Sequence, residues 1–146
     1  MSDTTDKSVI QCIREFIKEC PYLPEFRKSI GVDYLSPEVQ SYMIEAVPCE
    51  PVVKRYITGE TVRQYRFYFS SREAYSSDVL ANLENSMFYE HFQDWLETCT
   101  RSGQLPEMTG GKAAQQIMAT THGYVYDADP EKAQYNIQCR LVYFCP

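Results

Sequence analysis

The sequence predicts an α+β domain in which helices pack on one face of a mainly antiparallel sheet, in the order α-β-β-β-α-β-β. Residues 62–69 and 133–143 alternate between apolar and polar side chains, which is the pattern of strands with one buried face. Between them, residues 78–102 repeat apolar side chains at steps of three and four, which indicates a long helix. Because a strand leads directly into this helix, we expect the apolar side of the helix to pack on the sheet.

Two elements are expected before this unit. Six apolar residues from Val9 to Cys20 mark one face of a helix, which Pro21 ends. Residues 31–35 are either a short strand or a buried connection. Residues 41–47 then predict a strand, and the prolines that follow it indicate an edge or a crossing between strands.

A hairpin follows, with strands at residues 52–57 and 62–69 around a turn at residues 58–61. Its second strand is expected to end at residues 70–71, where two serines stand. The side chains of that strand alternate between the two faces of the sheet. The apolar face has Tyr65, Phe67 and Phe69, and the polar face has Gln64, Arg66 and Tyr68.

The long helix is expected to begin at residues 76–77, because a serine hydroxyl can cap it and an aspartate follows in its first turn. Gly103 is a natural stop. Residues 85–86 interrupt the apolar rhythm, so a kink or two consecutive helices remain open. The expected apolar face is Leu80, Leu83, Met87, Phe88, Phe92, Trp95, Leu96 and Cys99.

The segment after Gly103 contains Gly110 and Gly111 and predicts a mobile loop that is long enough to reach a neighbouring molecule. Residues 114–126 then predict the first strand of a second hairpin, which leads through a turn at residues 127–130 into the last strand. One face of that strand has Ala133, Tyr135, Ile137, Cys139, Leu141 and Tyr143, and the other has Gln134, Asn136, Gln138 and Arg140.

One domain is expected for residues 1–146, because a chain of this length buries roughly two-thirds of its unfolded surface on folding. The formal net charge of -6 disfavours specific binding to nucleic acid, which requires clustered Lys and Arg. No apolar run has the length of a membrane span, and residues 1–7 are too polar for a secretory signal.

The six cysteines are expected to be reduced thiols of a cytoplasmic protein. Cys12 and Cys20 are separated by about 12 Å of rise on one helix. Cys139 and Cys145 are separated by roughly 20 Å on one strand. Both separations are too long for a local disulfide bond.

The strongest candidate for catalysis is His122, because a histidine base near a carboxylate such as Asp127 can activate a hydroxyl. The pattern is similar to the His-His-xxx-Asp-Gly signature of chloramphenicol acetyltransferases. Gly123 replaces the second histidine, however, and Ala128 replaces the final glycine. A structural role for His122 is favoured on the order of ten to one, so no catalytic residue is predicted. An acetyltransferase-like enzyme that uses His122 is kept as an alternative.

No metal or cofactor site is predicted either. His91 stands alone on the long helix, without a second ligand at zinc spacing. The acids Asp127, Asp129 and Glu131 lack the glycine and the closing glutamate of a calcium loop. Residues 110–112 lack the first glycine and the final Ser or Thr of a phosphate-binding loop.

Several stretches of the sequence carry a resemblance to known proteins. They are Gly31-Val32-Asp33-Tyr34-Leu35, Ser71-Arg72-Glu73-Ala74-Tyr75, Asn82-Leu83-Glu84-Asn85-Ser86, Phe88-Tyr89-Glu90, Phe92-Gln93-Asp94-Trp95-Leu96, Gly123-Tyr124-Val125-Tyr126-Asp127 and residues 135–143. Together they resemble a family of small prophage proteins of Gram-positive bacteria, described as minor capsid or minor tail proteins. The likeness covers most of the chain after about residue 25 and includes no invariant active-site motif.

The resemblance implies a virion structural protein without catalysis. Such proteins are similar in size and element order to phage tail terminators, which form rings that cap the tail tube and dock to the head. The implied partners are further copies of the chain, with a hexamer suggested by family analogy, and the tail tube and head-completion proteins. The implied location is the host cytoplasm and then the virion. A monomeric prophage adaptor is kept as a second alternative, since the sequence does not determine the oligomer number.

A ring requires surfaces for self-association, and the polar strand faces and the glycine loop are the candidates. Strand parity places four of the candidate residues opposite the apolar core, where a solvated face and a subunit contact are both compatible with polar side chains. The full candidate set is Arg55, Arg66, Tyr68, Gly110, Gly111, Gln138 and Arg140.

Overall fold

The computed structural model describes residues 6–23, 30–38, 41–75 and 79–146. The helices and strands of this part of the chain are α1 (Val9–Ile17), β1 (Ile30–Val32), β2 (Ser41–Val47), β3 (Val52–Arg55), β4 (Thr61–Ala74), α2 (Val79–Ser102), β5 (Ala113–Ala119), β6 (Tyr124–Ala128) and β7 (Lys132–Cys145). Neither described helix is long and apolar enough to cross a membrane.

Two strands of 14 residues, β4 and β7, form the centre of the sheet. They pair antiparallel along their whole length, from Thr61 opposite Cys145 to Ala74 opposite Lys132. Two shorter antiparallel strands flank each of them, because β2 and β3 pair with β4 while β5 and β6 pair with β7. β1 lies at one edge and runs parallel to β2.

The predicted α+β class, the mainly antiparallel sheet and the order of the elements are confirmed. The sheet contains two further short strands. β1 forms in the segment for which the sequence left a strand or a connection open. Residues 120–123 divide the first strand of the C-terminal hairpin into β5 and β6, which pair with different halves of β7.

The core lies between the two helices and one face of the sheet. Its centre is aromatic, since the rings of Phe69 on β4 and Phe92 on α2 stack with their centroids 4.7 Å apart. Such pairs add to the free energy gained from burial alone. The large apolar side chains that are fully buried include Ile13 and Ile17 from α1, Phe92 and Leu96 from α2, and Ile30, Ile44, Phe67, Phe69, Ile117, Ile137 and Leu141 from the sheet.

α1 begins where Ser8 caps it, with the Ser8 hydroxyl accepting a hydrogen bond from the Gln11 backbone N–H. It ends at Ile17 rather than at Cys20, although Cys20 is still buried. The Arg14 side chain connects α1 to the edge of the sheet, because its Nε donates to the carbonyl oxygen of Ile30 at 2.6 Å.

α2 is one continuous helix, without a break at residues 85–86. Asn85 holds the helix against the sheet, since its Nδ2 donates to the Ala74 carbonyl oxygen at 3.0 Å. Gly103 ends the helix as predicted, with a φ of 80° and a hydrogen bond from the N–H of Gln104 to the carbonyl oxygen of Cys99. The predicted start at residues 76–77 lies outside the described part of the chain.

The predicted buried face of α2 is wrong in its first half. Leu83 and Met87 are 58% and 52% exposed, whereas Tyr89 is buried. Leu83 and Met87 continue the row of Glu90 and Asp94 at helical spacing, and this row faces away from the sheet. The position of the Leu80 side chain is not described, and the second half of the predicted face does meet the core.

β4 continues to Ala74 instead of ending at residues 70–71, as the sequence predicted. The two serines are fully buried, and each hydroxyl has a partner. The Ser70 hydroxyl donates to Asn136 Oδ1 at 2.6 Å, and the Ser71 hydroxyl lies 2.5 Å from the hydroxyl of Tyr89. Because a buried hydroxyl with a partner carries little penalty, the serines do not interrupt the strand.

Candidate interaction surface

The face of the sheet that points away from the helices is polar along its middle, and neither described helix packs on it. Strand parity also places three buried apolar side chains on this face, Met43, Val62 and Val142. We call this surface the open face and define it by Gln64, Arg66, Tyr68 and Arg72 on β4 and by Gln134, Asn136, Gln138 and Arg140 on β7. Four of the seven candidate self-association residues lie on it. Two neighbouring cross-strand pairs bring them together, Arg66 with Arg140 and Tyr68 with Gln138.

The two arginines at the centre of the open face are direct cross-strand neighbours. Like charges in this position repel each other, so the pair destabilises the isolated sheet. Arg140 Nε donates to Gln64 Oε1 at 2.7 Å, which fixes that side chain without neutralising its charge. Among the described residues, neither Arg66 nor Arg140 forms an ion pair. Two adjacent guanidinium groups are therefore available to bind carboxylates in bidentate geometry.

A hydrogen-bond network at the Asn136 end of the open face holds its side chains in place. Asn136 is buried, and its Oδ1 accepts from the Ser70 hydroxyl and from Gln134 Nε2, at 2.6 and 3.2 Å. Gln138 Nε2 donates to the hydroxyl of Tyr124 on β6 at 3.2 Å. These hydrogen bonds hold the side chains at this end of the open face in fixed positions.

Tyr68 is the aromatic member of the open face and pairs across the sheet with Glu45 of β2. Burial raises the pKa of the Tyr68 hydroxyl, and so do a hydrogen bond to Glu45 and the charge of that carboxylate. Tyr68 therefore stays neutral at all ordinary pH values. A neutral tyrosine beside arginines is a common combination at protein interfaces.

The other three candidate residues lie at one end of the sheet and not with the first four. Arg55 pairs with Thr61, which is five residues from Arg66 on β4, so roughly 16 Å separates these positions. Gly110 and Gly111 adopt φ values of 71° and 77° in the turn before β5. The candidate set is thus divided between the middle of the open face and one end of the molecule.

The hairpin between β3 and β4 has an exposed apolar end that sequence reasoning missed. We call residues 53–60 the β3–β4 tip. Ile57 is fully exposed there, and Val53 and Tyr56 are 48% and 39% exposed. Two backbone hydrogen bonds close the turn, from Tyr56 N–H to the Glu60 carbonyl oxygen and from Gly59 N–H to the Tyr56 carbonyl oxygen. The tip is therefore an ordered projection.

A groove of about 830 Å³ lies between α1, the C-terminal half of α2 and the segment at residues 103–107. We call it the α1–α2 groove. Phe16 and Trp95 stack along it with ring centroids 4.8 Å apart, and the buried thiols of Cys12 and Cys99 also contribute to its lining. Sequence reasoning assigned Trp95 to the core, but the side chain is half-buried because one side borders this groove.

His122 lies in the exposed connection between β5 and β6. The sequence had placed it on a strand, and this prediction is wrong. The carbonyl oxygen of His122 accepts a hydrogen bond from the Thr121 hydroxyl at 2.9 Å. The next residue, Gly123, packs so closely that an added Cβ would lie 2.5 Å from the side chain of Tyr89. The described part of the chain shows no hydrogen bond between the side chains of His122 and Asp127.

The other residues considered for metal binding or redox chemistry take part in structural contacts. In the described residues, no group of three or more His, Cys, Asp or Glu side chains is placed to hold a metal ion. His91 stacks on Tyr22, with ring centroids 4.7 Å apart. Asp129 accepts hydrogen bonds from the backbone N–H groups of Glu131 and Lys132, which lower its pKa and close the turn before β7. All six cysteines are free thiols.

Comparison of the chain with models of known protein families and with curated proteins finds no match.

Proposed function

We propose that this chain is a structural protein of a prophage virion and acts at the tail end or the head-tail junction by assembling into a ring. The resemblance of the stretches between residues 31 and 143 to minor capsid and minor tail proteins supports the proposal. The structural observation that carries it is the open face, where Arg66 and Arg140 lie side by side on the sheet surface without an ion-pair partner in the described chain.

Each copy in a ring meets its neighbours through two different surfaces, which is the heterologous arrangement that closes around a cyclic axis. The open face supplies guanidinium and tyrosine groups for one contact. The opposite side of the molecule is acidic, since α2 exposes Glu84, Glu90, Asp94 and Glu97. Opposite charges on two sides of one subunit favour head-to-tail association and disfavour the pairing of identical surfaces.

The charge of the molecule also suits a ring through which DNA passes. The formal net charge is -6, and acidic or neutral walls let DNA slide without binding its phosphates. The proposed partners beyond further copies of the chain are the tail tube and head-completion proteins. The proposed location is the host cytoplasm before assembly and the virion afterwards.

The test is the double substitution Arg66→Glu and Arg140→Glu in a prophage that lacks the wild-type gene. Both side chains are half-buried and Arg140 loses its hydrogen bond to Gln64, so we expect a folded protein whose free energy of unfolding falls by about 1 kcal/mol per site. We also expect that it fails to restore infectious particles, since two charges at the contact are reversed.

The control is Arg101→Glu, which reverses an exposed arginine at the end of α2 on the acidic side of the molecule, where an added negative charge does not oppose the arginines of a neighbouring open face. It is expected to restore particle assembly. Normal titres from the double variant would show that the open face is solvated surface, and the proposed contact would then be dropped.

A further inference from the structure

The β3–β4 tip exposes apolar surface that no described part of the same chain covers. Scattered exposed apolar residues are ordinary, but Val53, Tyr56 and Ile57 occur together on one projecting hairpin. The turn that carries them is ordered, with Gly59 at a φ of 104° and the Tyr56 N–H to Glu60 hydrogen bond of 2.9 Å. An ordered apolar projection loses little conformational entropy when a partner covers it.

Two cations flank this apolar end. Lys54 and Arg55 are both exposed, and neither forms an ion pair with a described residue. Lys54 Nζ lies 4.9 Å from the centroid of the Tyr56 ring, so its charge is held beside the apolar side chains. The tip also contains the carboxylate of Glu60, whose pKa is lowered by a hydrogen bond with Thr58. With two cations and one anion, the tip combines an apolar end with a net positive charge.

The α1–α2 groove has the complementary composition. Phe16 and Trp95 give it an aromatic wall. Glu19 and Glu107 line it as exposed carboxylates without an ion pair among the described residues. A third glutamate of the lining is already neutralised, since Glu15 pairs with Lys7 at 2.8 Å. Lys7 lines the groove as well and interacts electrostatically with Glu107, so the groove offers an aromatic wall and a net negative charge.

We infer that the β3–β4 tip of one copy inserts into the α1–α2 groove of the next copy, with Ile57 against the aromatic wall and Lys54 and Arg55 beside the rim carboxylates. β3 and β4 hold the tip in line with the sheet, whereas the groove lies among the helices on one face, so a tip does not enter the groove of its own chain. The contact joins two different surfaces and is therefore heterologous, as ring closure requires. This inference rests on the proposed function and names a specific contact between neighbouring subunits.

The first experiment is a charge-exchange cycle on the purified full-length protein, with the assembly state measured by light scattering over a range of concentrations. Lys54→Glu with Arg55→Glu, and separately Glu19→Lys with Glu107→Lys, are each expected to raise the midpoint concentration of assembly at least about tenfold. The variant with all four substitutions restores opposite charges and has the wild-type net charge. It is expected to assemble at the wild-type midpoint.

If the four-fold variant assembles no better than the two double variants, the tip and the groove do not meet and the inference is wrong. Circular dichroism of each variant checks that the fold is retained. Failure of this cycle while the wild type still assembles leaves the proposed ring intact, with its contact elsewhere. A wild type that never assembles, alone or in particles, overturns the proposed function itself.

The second experiment maps the contact directly and does not depend on charge. A photo-crosslinking phenylalanine analogue replaces Ile57, and the protein is irradiated both at high concentration and in assembling particles. Crosslinked dimers are expected, joined to peptides that contain Phe16 or Trp95. The matched control carries the analogue at Tyr34, an exposed position after β1 at the edge of the sheet, which is expected to give no such crosslinks. Crosslinks from position 57 to other peptides, or none at all, contradict the inference.

Discussion

At the scale of single residues, Glu73 is a carboxylic acid on β4 that is partly buried. Burial raises the pKa of the Glu73 carboxyl, against the opposite effect of a hydrogen bond with Ser71. The native state therefore binds the proton more tightly than the unfolded chain, in which a glutamate has a pKa of about 4.3. Stability falls as the pH rises from that value through the raised native pKa, and the loss persists above it.

We expect Glu73→Gln to remove this dependence, because the amide does not titrate. The melting temperature of the variant should exceed that of the wild type at pH 8, and the difference should shrink as the pH falls to 4. Thermal unfolding between these pH values measures it. Glu90→Gln on the exposed side of α2 is the control. If the difference in melting temperature does not change with pH, burial does not raise the native pKa of Glu73.

The surroundings of Glu73 also show what the sequence could not predict at this scale. The strand was expected to end at residues 70–71, because serine is typical of strand ends and turns. The partners that make the two serines compatible with a buried strand are Asn136 and Tyr89, far away in the sequence. No local pattern in the sequence indicates such long-range hydrogen bonds. The continuation of β4 to Glu73, and with it the partial burial of that side chain, could therefore not be predicted.

At the scale of elements, α2 offers a comparison of two apolar residues on one helix. Phe92 is fully buried and stacks on Phe69, whereas Leu83 is 58% exposed. We expect Phe92→Ala to lower the free energy of unfolding by about 3 to 5 kcal/mol. Leu83→Ala should change it by no more than about 0.5 kcal/mol. Urea denaturation of both variants measures the difference, and similar losses would place Leu83 in the core.

The same helix shows how far periodicity carries a prediction. Apolar residues at steps of three and four correctly indicated the helix and its contact with the sheet from Phe88 onward. They did not distinguish Leu83 and Met87 from the buried row, because a spacing of four is shared by every row along a helix. The strand parities of Phe67 and Leu141 were predictable for a simpler reason, since a strand has two faces and one of them is apolar.

At the scale of the whole molecule, the candidate surface was predictable in part. Strand parity placed Arg66 and Arg140 on one face, and the sheet register makes them direct neighbours. The β3–β4 tip and the α1–α2 groove were not predictable, because exposure of Ile57 and the space beside Trp95 depend on how distant elements pack. Periodicity locates faces, whereas concave and projecting features arise from the arrangement of several elements.

A head-to-tail ring makes a further expectation about mixtures of variants. The acidic-tip variant (Lys54→Glu with Arg55→Glu) keeps its acidic groove, and the basic-groove variant (Glu19→Lys with Glu107→Lys) keeps its basic tip. Alone, each variant opposes like charges at every contact. In an equal mixture, the acidic tip meets the basic groove and the basic tip meets the acidic groove, so every contact regains opposite charges when the two variants alternate.

We therefore expect the mixture to assemble although neither variant does so alone. Because the two variants must alternate, the closed rings should contain equal numbers of each and an even total number of subunits. Native mass spectrometry with one variant isotope-labelled measures both quantities. An isologous contact, in which the same patch meets itself on both subunits, would instead give dimers of limited size. Rings with random composition would show that the tip and groove charges do not select neighbours, and the head-to-tail arrangement through this contact would then be wrong.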